Sequence, residues 1–284
     1  MREWVQRPAL LGAAFWFAGF VGGCSQDQPT VMSDMITVPR AAYDGLITAE
    51  RVDFIALDLQ TGRKLVLEGS RIYERHAPWS TFKIPNTLIG LETAECLDPE
   101  QVLVWDAERW PAADFWPTAW HGEHDLESAF RNSVVWYYRQ LAQCVGGGRY
   151  QSVLADWNYG NAQLNAGDDA FWLGGGLQIS PWEQVRFLQD LHTGMIEVAD
   201  SALQRLATIS LDEAFATSGL RGKTGAGSTQ DGAWEGWYVG YVDAGEGAGV
   251  VFALYASSDD YADIRDFRRA FAVELLTDAG YLPN

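Results

Sequence analysis

The segment PWSTFK (residues 78–83) marks the point where a predicted β-hairpin gives way to a predicted helix, and the interpretation of the fold depends on it. Before it, VDFIALDL (residues 52–59) alternates apolar and polar side chains, and after a Thr-Gly turn the chain resumes with KLVL (residues 64–67). This pattern is typical of a hairpin. The proline and serine of the segment favour a helix start, and we predict a helix over residues 80–95.

Beyond this helix, the chain is first rich in helices and then in strands. Residues 97–125 are loop-rich, and we predict helices over 126–145, 150–157, 181–191, 201–209 and 263–279, and strands over 220–224, 234–242 and 250–257. Strands therefore lie near both chain ends, which predicts an α+β fold. We expect an antiparallel β-sheet formed by both ends and flanked by helices, with an all-α subdomain inserted at about residues 84–200. A crevice between the two layers is the expected place for a functional site.

The composition is that of a folded, acidic protein. Its 284 residues are 48% hydrophobic and 20% charged, which argues against disorder of the whole chain. The formal net charge of −18 would repel a polyanion, so nucleic acid is not an expected partner. We expect no metal site, because the two histidines of HGEHD (residues 121–125) are better explained as part of a solvated loop.

The amino terminus has the pattern of an export signal. Two arginines precede residues 9–23, an uncharged run shorter than the ~20 residues needed to span a bilayer. Cys24 follows small residues and resembles the lipidated cysteine of bacterial lipoproteins. We therefore predict a signal peptide over residues 1–23, a polar tether over 24–46 and a folded domain over 47–284. The expected location is the periplasmic side of the bacterial envelope, lipid-anchored to the outer membrane; a soluble periplasmic protein is the alternative.

Ser80 and Lys83 form the first pair with chemical content. At the start of a helix, a spacing of three residues places both side chains on one face. A buried lysine can take the proton of a serine hydroxyl and make it a nucleophile, and the N–H groups of the helix start can stabilise an oxyanion. The pattern S-x-x-K is weak alone. The chain has only three lysines, however (Lys64, Lys83 and Lys223), which indicates that a retained lysine meets a need for a titratable amine.

A second lysine motif, KTG (residues 223–225), is predicted to lie on a strand. Its glycine would allow a ligand to approach closely, and its lysine and threonine could bind a carboxylate. Between the two lysine motifs come SVV (residues 133–135), on the predicted long helix, and YGN (residues 159–161). Each has an ordinary explanation alone, as a back-bonded helix serine and as a helix stop.

Taken in order, S-T-F-K, S-V-V, Y-G-N, F-W-L (residues 171–173) and K-T-G resemble the motifs of the class D serine β-lactamases, or oxacillinases, in the penicillin-recognising serine hydrolase superfamily. The resemblance extends over residues 53–282. S-x-x-K and K-T-G alone would also fit penicillin-binding proteins and other β-lactamases, but those carry S-D-N or S-x-N where this chain has S-V-V. The resemblance implies a hydrolase that opens the β-lactam amide bond of penicillin-type antibiotics.

The resemblance also implies a role for each motif residue. Ser80 is acylated, and Lys83 is N-carboxylated by CO2 to act as general base, so no other cofactor is implied. Trp172 donates its indole N–H to that carbamate, and Ser133 passes a proton to the departing ring nitrogen. The implied substrate-binding residues are Val135, Leu173, Lys223, Thr224, Gly225, Ala226 and Arg268.

Three parts of this assignment concern the surroundings of the reacting groups. Val135, Leu173 and Phe82 would form an apolar wall that keeps the Lys83 amine neutral. Backbone N–H groups of Ser80 and Ala226 would form the oxyanion hole. Arg268 is the expected partner of the substrate carboxylate, and Arg265 and Arg269 are the alternatives. Ala226 and the residues after it depart from the family pattern, which leaves the substrate spectrum open.

Other functions fit part of the pattern. A β-lactam sensor or a penicillin-binding protein shares the motifs but stays acylated. A sensor also carries transmembrane helices and a protease domain, neither of which is predicted in these 284 residues. A non-catalytic lipoprotein would not need two of its three lysines inside the motifs. The sequence makes no prediction about the oligomeric state.

Cys96 and Cys144 are the cysteines that remain if Cys24 is lipidated. In an oxidising periplasm such a pair can form a disulfide, and two buried free thiols are the alternative.

Overall fold

The computed structural model describes residues 35–93, 95–114, 116–165, 167–245 and 248–283. The predicted signal peptide and the predicted lipidation site, Cys24, lie outside these residues. Across the described ranges, no helix has the length and apolar character needed to cross a membrane.

The described elements follow the predicted alternation of strands and helices. The strands are β1 (Met35–Val38), β2 (Arg51–Asp58), β3 (Lys64–Leu67), β4 (Leu103–Val104), β5 (Glu123–His124), β6 (Leu220–Ser228), β7 (Trp234–Gly245) and β8 (Ala248–Ser258). The α-helices are α1 (Lys83–Leu91), α2 (Leu126–Arg131), α3 (Val135–Val145), α4 (Gly147–Asp156), α5 (Pro181–His192), α6 (Asp200–Ile209), α7 (Tyr261–Arg265) and α8 (Phe267–Asp278). Short 3-10 helices occur at Arg40–Tyr43, Trp79–Phe82, Thr118–Trp120 and Glu213–Ser218.

The main sheet joins both ends of the described chain, as predicted. Its six strands lie in the order β1-β3-β2-β8-β7-β6. At its centre β2 and β8 pair antiparallel, with Ile55 opposite Ala253. The hairpin β2–β3 and the pairs β6–β7 and β7–β8 are antiparallel as well, and β6 forms one edge. The exception is β1, which runs parallel to β3.

The sheet is buried on both faces because its strands alternate between two cores. In β2, Phe54 packs into the core beneath α7 and α8, whereas Ile55 packs into the core shared with the helical region. Phe252 and Ala253 of β8 divide in the same way. This is the period-2 alternation of a strand that is covered on both sides. The predicted α-helical insertion thus lies against one face of the sheet and the C-terminal helices against the other.

The predicted tether over residues 24–46 is wrong for the part that the structure describes. Met35–Val38 forms the outer strand β1, and the Tyr43 hydroxyl donates to Asp278 Oδ2 at 2.7 Å. Tyr43 is also buried against Phe271 of α8. The strand was missed because it is only four residues long and follows a polar stretch, and so short a run does not by itself predict an edge strand.

Two predicted helices are interrupted in the structure. Residues 126–145 divide into α2 and α3, because Ser133 has a φ of 60°, which no right-handed helix can contain. The prediction that Ser133 lies on a single long helix is therefore wrong, because Ser133 lies between two helices. The predicted C-terminal helix divides at Asp266, whose φ of −98° departs from helical values. The first predicted helix begins as the 3-10 helix Trp79–Phe82 and continues as α1.

A disulfide joins Cys96 to Cys144, with Cα atoms 5.5 Å apart. Of the two alternatives, the disulfide is therefore confirmed and the pair of buried free thiols is not. Cys96 follows α1 and Cys144 lies in the last turn of α3. The bridge therefore ties together the far ends of two helices that begin with the motif residues Lys83 and Val135.

Candidate active site

Ser80 and Lys83 meet in the structure because a 3-10 turn runs directly into α1. Ser80 lies in that turn, and Lys83 is the first residue of α1, where its backbone N–H donates to the carbonyls of Ser80 and Thr81. The Lys83 Nζ donates to Ser80 Oγ at 3.0 Å. The spacing of three residues thus gives the contact that the sequence predicted.

The Lys83 amine is fully buried, with no exposed side-chain surface. Burial lowers the pKa of Lys83 well below its ordinary value of 10.5, and the nearby charge of Lys223 lowers it further. The ring of Tyr138 lies 5.1 Å from Nζ, and the Tyr138 hydroxyl is engaged with Thr87 Oγ1 at 2.8 Å. The site therefore favours a neutral amine beside the Ser80 hydroxyl.

Ser133 lies at the break between α2 and α3. Its left-handed backbone is unfavourable for a residue other than glycine, so the surrounding packing must hold it in place. Its Oγ is buried and has no hydrogen-bond partner among the described residues. A buried hydroxyl without a partner is costly in a folded protein, which is consistent with a group kept for a ligand.

The KTG motif lies on the edge strand β6 and faces the Ser80 turn. A Cβ at Gly225 would lie only 3.0 Å from the backbone nitrogens of Ser80 and Thr81, so the strand and the turn are packed backbone to backbone. Thr224 and Ala226, on either side of Gly225, are partly exposed. Because β6 is an edge strand, one row of its backbone N–H groups is not used by a neighbouring strand.

Lys223 is the second buried amine of the site. It is 5% exposed, and its Nζ donates to the Thr224 carbonyl at 3.1 Å. Burial, together with the nearby charge of Arg268, lowers the pKa of Lys223 from 10.5 to about 7. Lys223 therefore changes its charge near neutral pH.

Trp172 is buried against Phe82, which lies between Ser80 and Lys83 in the chain. Its indole ring stacks on Phe82 with ring centroids 5.4 Å apart, and its Nε1 has no hydrogen-bond partner within the described ranges. The backbone carbonyl of Trp172 accepts the N–H of Trp79, which ties this segment to the Ser80 turn. Phe82 is buried, and Val135 and Leu173 are partly buried against the same core. All three residues therefore pack into the helical-side core, and their role as a wall around the Lys83 amine stays a prediction.

The structure distinguishes the three candidate arginines. Arg265 is paired with Asp266, and Arg269 makes two hydrogen bonds to Asp212 at 2.7 Å. Arg268 is 7% exposed, and its Nε and Nη1 have no hydrogen-bond partner in the part of the chain that the structure describes. Arg268 is thus the candidate whose guanidinium has no carboxylate partner among the described side chains.

The remaining candidates are explained without a ligand. His124 is buried on β5 and contacts the Ala119 carbonyl at 2.8 Å and Ser128 Oγ at 3.1 Å, so the predicted solvated loop is wrong for this residue. His121 stacks on Trp105. Over the described residues, no group of three or more His, Cys, Asp or Glu side chains is arranged to hold a metal ion. In the YGN segment, Asn161 donates to the Gly176 carbonyl at 2.8 Å and so fixes the loop next to Trp172.

Sequence reasoning missed two residues of the site's supporting structure, Trp79 and Glu235. Trp79 directly precedes Ser80 and has a φ of 49°. Glu235 is a buried carboxylate on β7. The only sequence signal was a charge inside the apolar strand WEGWYVGYV (residues 234–242), which an alternating pattern alone would have placed on the solvent side.

Known proteins resemble this chain over most of its length. It matches the penicillin binding protein transpeptidase domain family over residues 52–272. It is 34% identical over 250 residues to the probable β-lactamase YbxI of Bacillus subtilis strain 168, a match that covers 88% of this chain and 90% of YbxI. Over 213 residues it is 32% identical to β-lactamase OXA-48 of Klebsiella pneumoniae, covering 75% of this chain and 77% of OXA-48.

Solved structures agree with these relatives. A class D β-lactamase YbXI from Nostoc superposes with a TM-score of 0.72 at 28% identity, covering 81% of this chain and 94% of that one. The C-terminal domain of the BlaR penicillin receptor of Bacillus licheniformis superposes with a TM-score of 0.77 at 24% identity, covering 89% of this chain and 99% of that domain, which is a likeness of fold. The chain therefore belongs to the penicillin binding protein transpeptidase family and, within it, to the class D serine β-lactamases.

Proposed function

We propose that this class D β-lactamase hydrolyses the β-lactam amide bond through an acyl-enzyme on Ser80. The observation that carries the proposal is the 3.0 Å contact between Ser80 Oγ and the buried amine of Lys83. A lysine with a lowered pKa can act as a base near neutral pH, whereas an ordinary lysine at ~10.4 is almost wholly protonated there.

In the first half of the reaction, Ser80 Oγ bonds to the lactam carbonyl carbon while its proton passes to the base at Lys83, and the C–N bond of the ring breaks. The ring nitrogen leaves with a proton supplied through Ser133. Backbone N–H groups of Ser80 and Ala226 stabilise the oxyanion, in keeping with the edge position of β6 beside the Ser80 turn. In the second half, the base at Lys83 takes a proton from water, the resulting hydroxide attacks the ester carbonyl, the ester C–O bond breaks, and Ser80 Oγ receives that proton.

Lys83 is proposed to carry CO2 as an N-carboxylate. Attack on CO2 needs a neutral amine, which burial favours. The residues present fit the added group, since the Trp172 Nε1 and Ser133 Oγ are buried and have no partner among the described residues, and either could donate to it. When bound, the carboxylate supplies an anionic general base to the site.

The carboxylate of the substrate is assigned to the cationic side of the cleft. Lys223 and Arg268 supply positive charge, and Thr224 supplies a hydroxyl. Support comes from the Arg268 guanidinium, which has no carboxylate partner among the described residues, and from the lowering of the Lys223 pKa by burial and by the charge of Arg268. An anion placed here would relieve that repulsion.

The deciding experiment measures turnover and the covalent state of the purified protein. We expect steady hydrolysis of nitrocefin and of benzylpenicillin, with Ser80 seen acylated by mass spectrometry at short times. Ser80→Ala should abolish both signals. An enzyme that acylates once and then stays acylated would instead behave as the penicillin sensor or penicillin-binding protein, which is the alternative.

The cellular location is proposed on the sequence alone. Cys24, after residues 9–23, would be lipidated and would hold the enzyme at the periplasmic face of the outer membrane. β-Lactams reach their targets through this compartment, so an enzyme placed there would meet them first.

A further inference from the structure

Glu235 is a buried charge that the proposed chemistry does not use. It lies on β7 and is 7% exposed. Its carboxylate accepts hydrogen bonds from the Trp79 indole at 2.8 Å, from His76 Nδ1 at 3.0 Å and from the Tyr255 hydroxyl at 3.0 Å. Burial alone would raise the pKa of Glu235, but the donors, led by His76 and Trp79, outweigh it and lower that pKa. Two of its three donors belong to HAPW (residues 76–79), the segment that leads into Ser80.

Trp79 connects this carboxylate to the nucleophile. It is buried although its φ of 49° is unfavourable for a residue with a Cβ. Its ring fills a slot between two glycines: a Cβ would lie 2.1 Å from the ring at Gly227 and 3.2 Å from it at Gly174. Its backbone N–H also donates to the Trp172 carbonyl at 3.1 Å. The side chain of Trp79, the residue directly before Ser80, thus contacts both the KTG strand and the segment that contains Trp172.

We propose that Glu235 and Trp79 are positioning residues for acylation: the carboxylate fixes the indole, and the indole holds the Ser80 turn against β6. The residues before Trp79 are also bound to β7, because the Trp237 indole of that strand donates to the Ala77 carbonyl at 2.9 Å. The inference rests on the proposed role of Ser80 as the acylated nucleophile.

Acylation should depend on this support more than deacylation does. Before reaction, the hydroxyl is placed by its own turn. After reaction, the substrate itself links Ser80 to β6 through its carboxylate, which restores part of the lost constraint. A nucleophile displaced by about 1 Å can lose about 100-fold in rate, so acylation is the sensitive step.

The test compares three variants with a matched control. Trp79→Phe keeps a ring in the slot and removes the indole N–H, and Glu235→Gln removes the charge. The double variant tests whether Trp79 and Glu235 act through their shared hydrogen bond. Tyr43→Phe is the control, because it removes a 2.7 Å hydrogen bond to Asp278 beneath the far side of the sheet.

Each protein is labelled at Ser80 with a fluorescent penicillin, and the rates of labelling and of release are measured. The midpoint of urea unfolding is measured for each protein as well. We expect labelling to fall about 10- to 100-fold in each single variant, with the double variant no slower than the slower single one. Release should stay within about threefold, and Tyr43→Phe should label normally.

Labelling at the wild-type rate in Trp79→Phe and Glu235→Gln would overturn the inference and leave the proposed function intact. So would equal losses in labelling and release, or a loss in Tyr43→Phe of the same size. A wild-type protein that is not labelled at Ser80 would overturn the proposed function and this inference together. If Glu235→Gln does not fold, Trp79→Phe alone still decides.

Discussion

Lys83 has no solvent-exposed surface, and its nearest reactive neighbour is a hydroxyl. Its pKa is lowered from 10.5 by burial and by Lys223, so its proton is lost at lower pH than in the unfolded chain. As pH falls through that lowered pKa, the amine regains its proton and can no longer bind CO2. We expect activity to fall as the pH is lowered and to recover when bicarbonate is added to degassed buffer. Lys83→Arg should be nearly inactive, because a guanidinium keeps its proton.

Trp172→Phe extends that experiment to a buried indole N–H that has no hydrogen-bond partner among the described residues. The variant keeps the stacking on Phe82 but removes the donor. We expect it to need more bicarbonate than the wild type and to slow deacylation more than acylation. If both proteins ignore bicarbonate between about pH 5 and pH 8, Lys83 acts as a plain amine.

Lys223 gives a second pH dependence with the opposite direction. Its pKa of about 7 means that the amine carries its charge below pH 7 and loses it above. We expect kcat/KM for an anionic substrate to decline as pH rises through about 7, because this parameter reports the free enzyme. Lys223→Arg should remove that decline while keeping some binding, because arginine stays charged. A profile that is flat in the wild type would contradict the role of Lys223.

The same shift affects stability. Between about pH 7 and pH 10.5 the unfolded chain keeps the Lys223 proton that the folded protein has lost. This group therefore makes the free energy of unfolding rise with pH across that window.

At the scale of elements, the site depends on the distance between β6 and the Ser80 turn. Gly225→Ala would place a methyl group 3.0 Å from two backbone nitrogens of the Ser80 turn. Backbone atoms cannot rotate away from such a contact as a flexible side chain could. We expect a loss of kcat/KM of about 100-fold or more. Gly148→Ala in α4, where a Cβ meets nothing within 4 Å, is the control and should keep full activity. Equal activities in the two variants would show that the strand and turn are not closely coupled.

The elements also show where a pattern of side chains predicts backbone structure and where it does not. The strands of the sheet were predicted because alternation places their side chains in two cores. The break at Ser133 was missed because the residues on both sides keep a helical spacing, and only the backbone angle of one residue interrupts it. Similarly, β1 is held by backbone pairing with β3 and is only four residues long, and so short a segment does not by itself predict a strand.

Of the candidate site, Ser80, Lys83 and the KTG motif were singled out by residue type and spacing, and the other site residues were implied by the family resemblance. Neither source predicted the supporting contacts. Ser80 and Lys83 lie within one turn of chain, so their contact could be predicted. The choice of Arg268 rested on alignment of the last helix, and the partners of Arg265 and Arg269 were needed to support it. Trp79 and Glu235 are 156 residues apart, and no local pattern reports such a pair.

At the scale of the whole molecule, the disulfide between Cys96 and Cys144 closes a loop with a sequence separation of 48. Loop closure of this size restricts the unfolded chain and is worth about 4 kcal/mol in the chain-entropy description. We expect Cys96→Ser with Cys144→Ser to lose free energy of unfolding on that order in urea, while the folded fraction remains active. Thiol titration of the unfolded, unreduced wild type should find no free thiol from this pair.

The location of the whole protein is tested at Cys24. Cys24→Ser should move the enzyme from the membrane fraction to the soluble fraction without changing its turnover, because Cys24 is distant in sequence from every site residue. A wild type already found in the soluble periplasmic fraction would contradict the predicted anchor.

The central pairing of β2 with β8 has a consequence for how the chain reaches its active form. Ile55 and Ala253 are opposite each other but about 200 residues apart in the chain, a separation that slows folding. During synthesis, β2 and β3 emerge long before their partner, and the helices between them have no completed sheet to pack on. The Ser80 turn cannot dock on β6 until nearly the whole chain is available. A chain that is exported while it is being made would thus cross the membrane before it can fold, and activity would arise only on the far side.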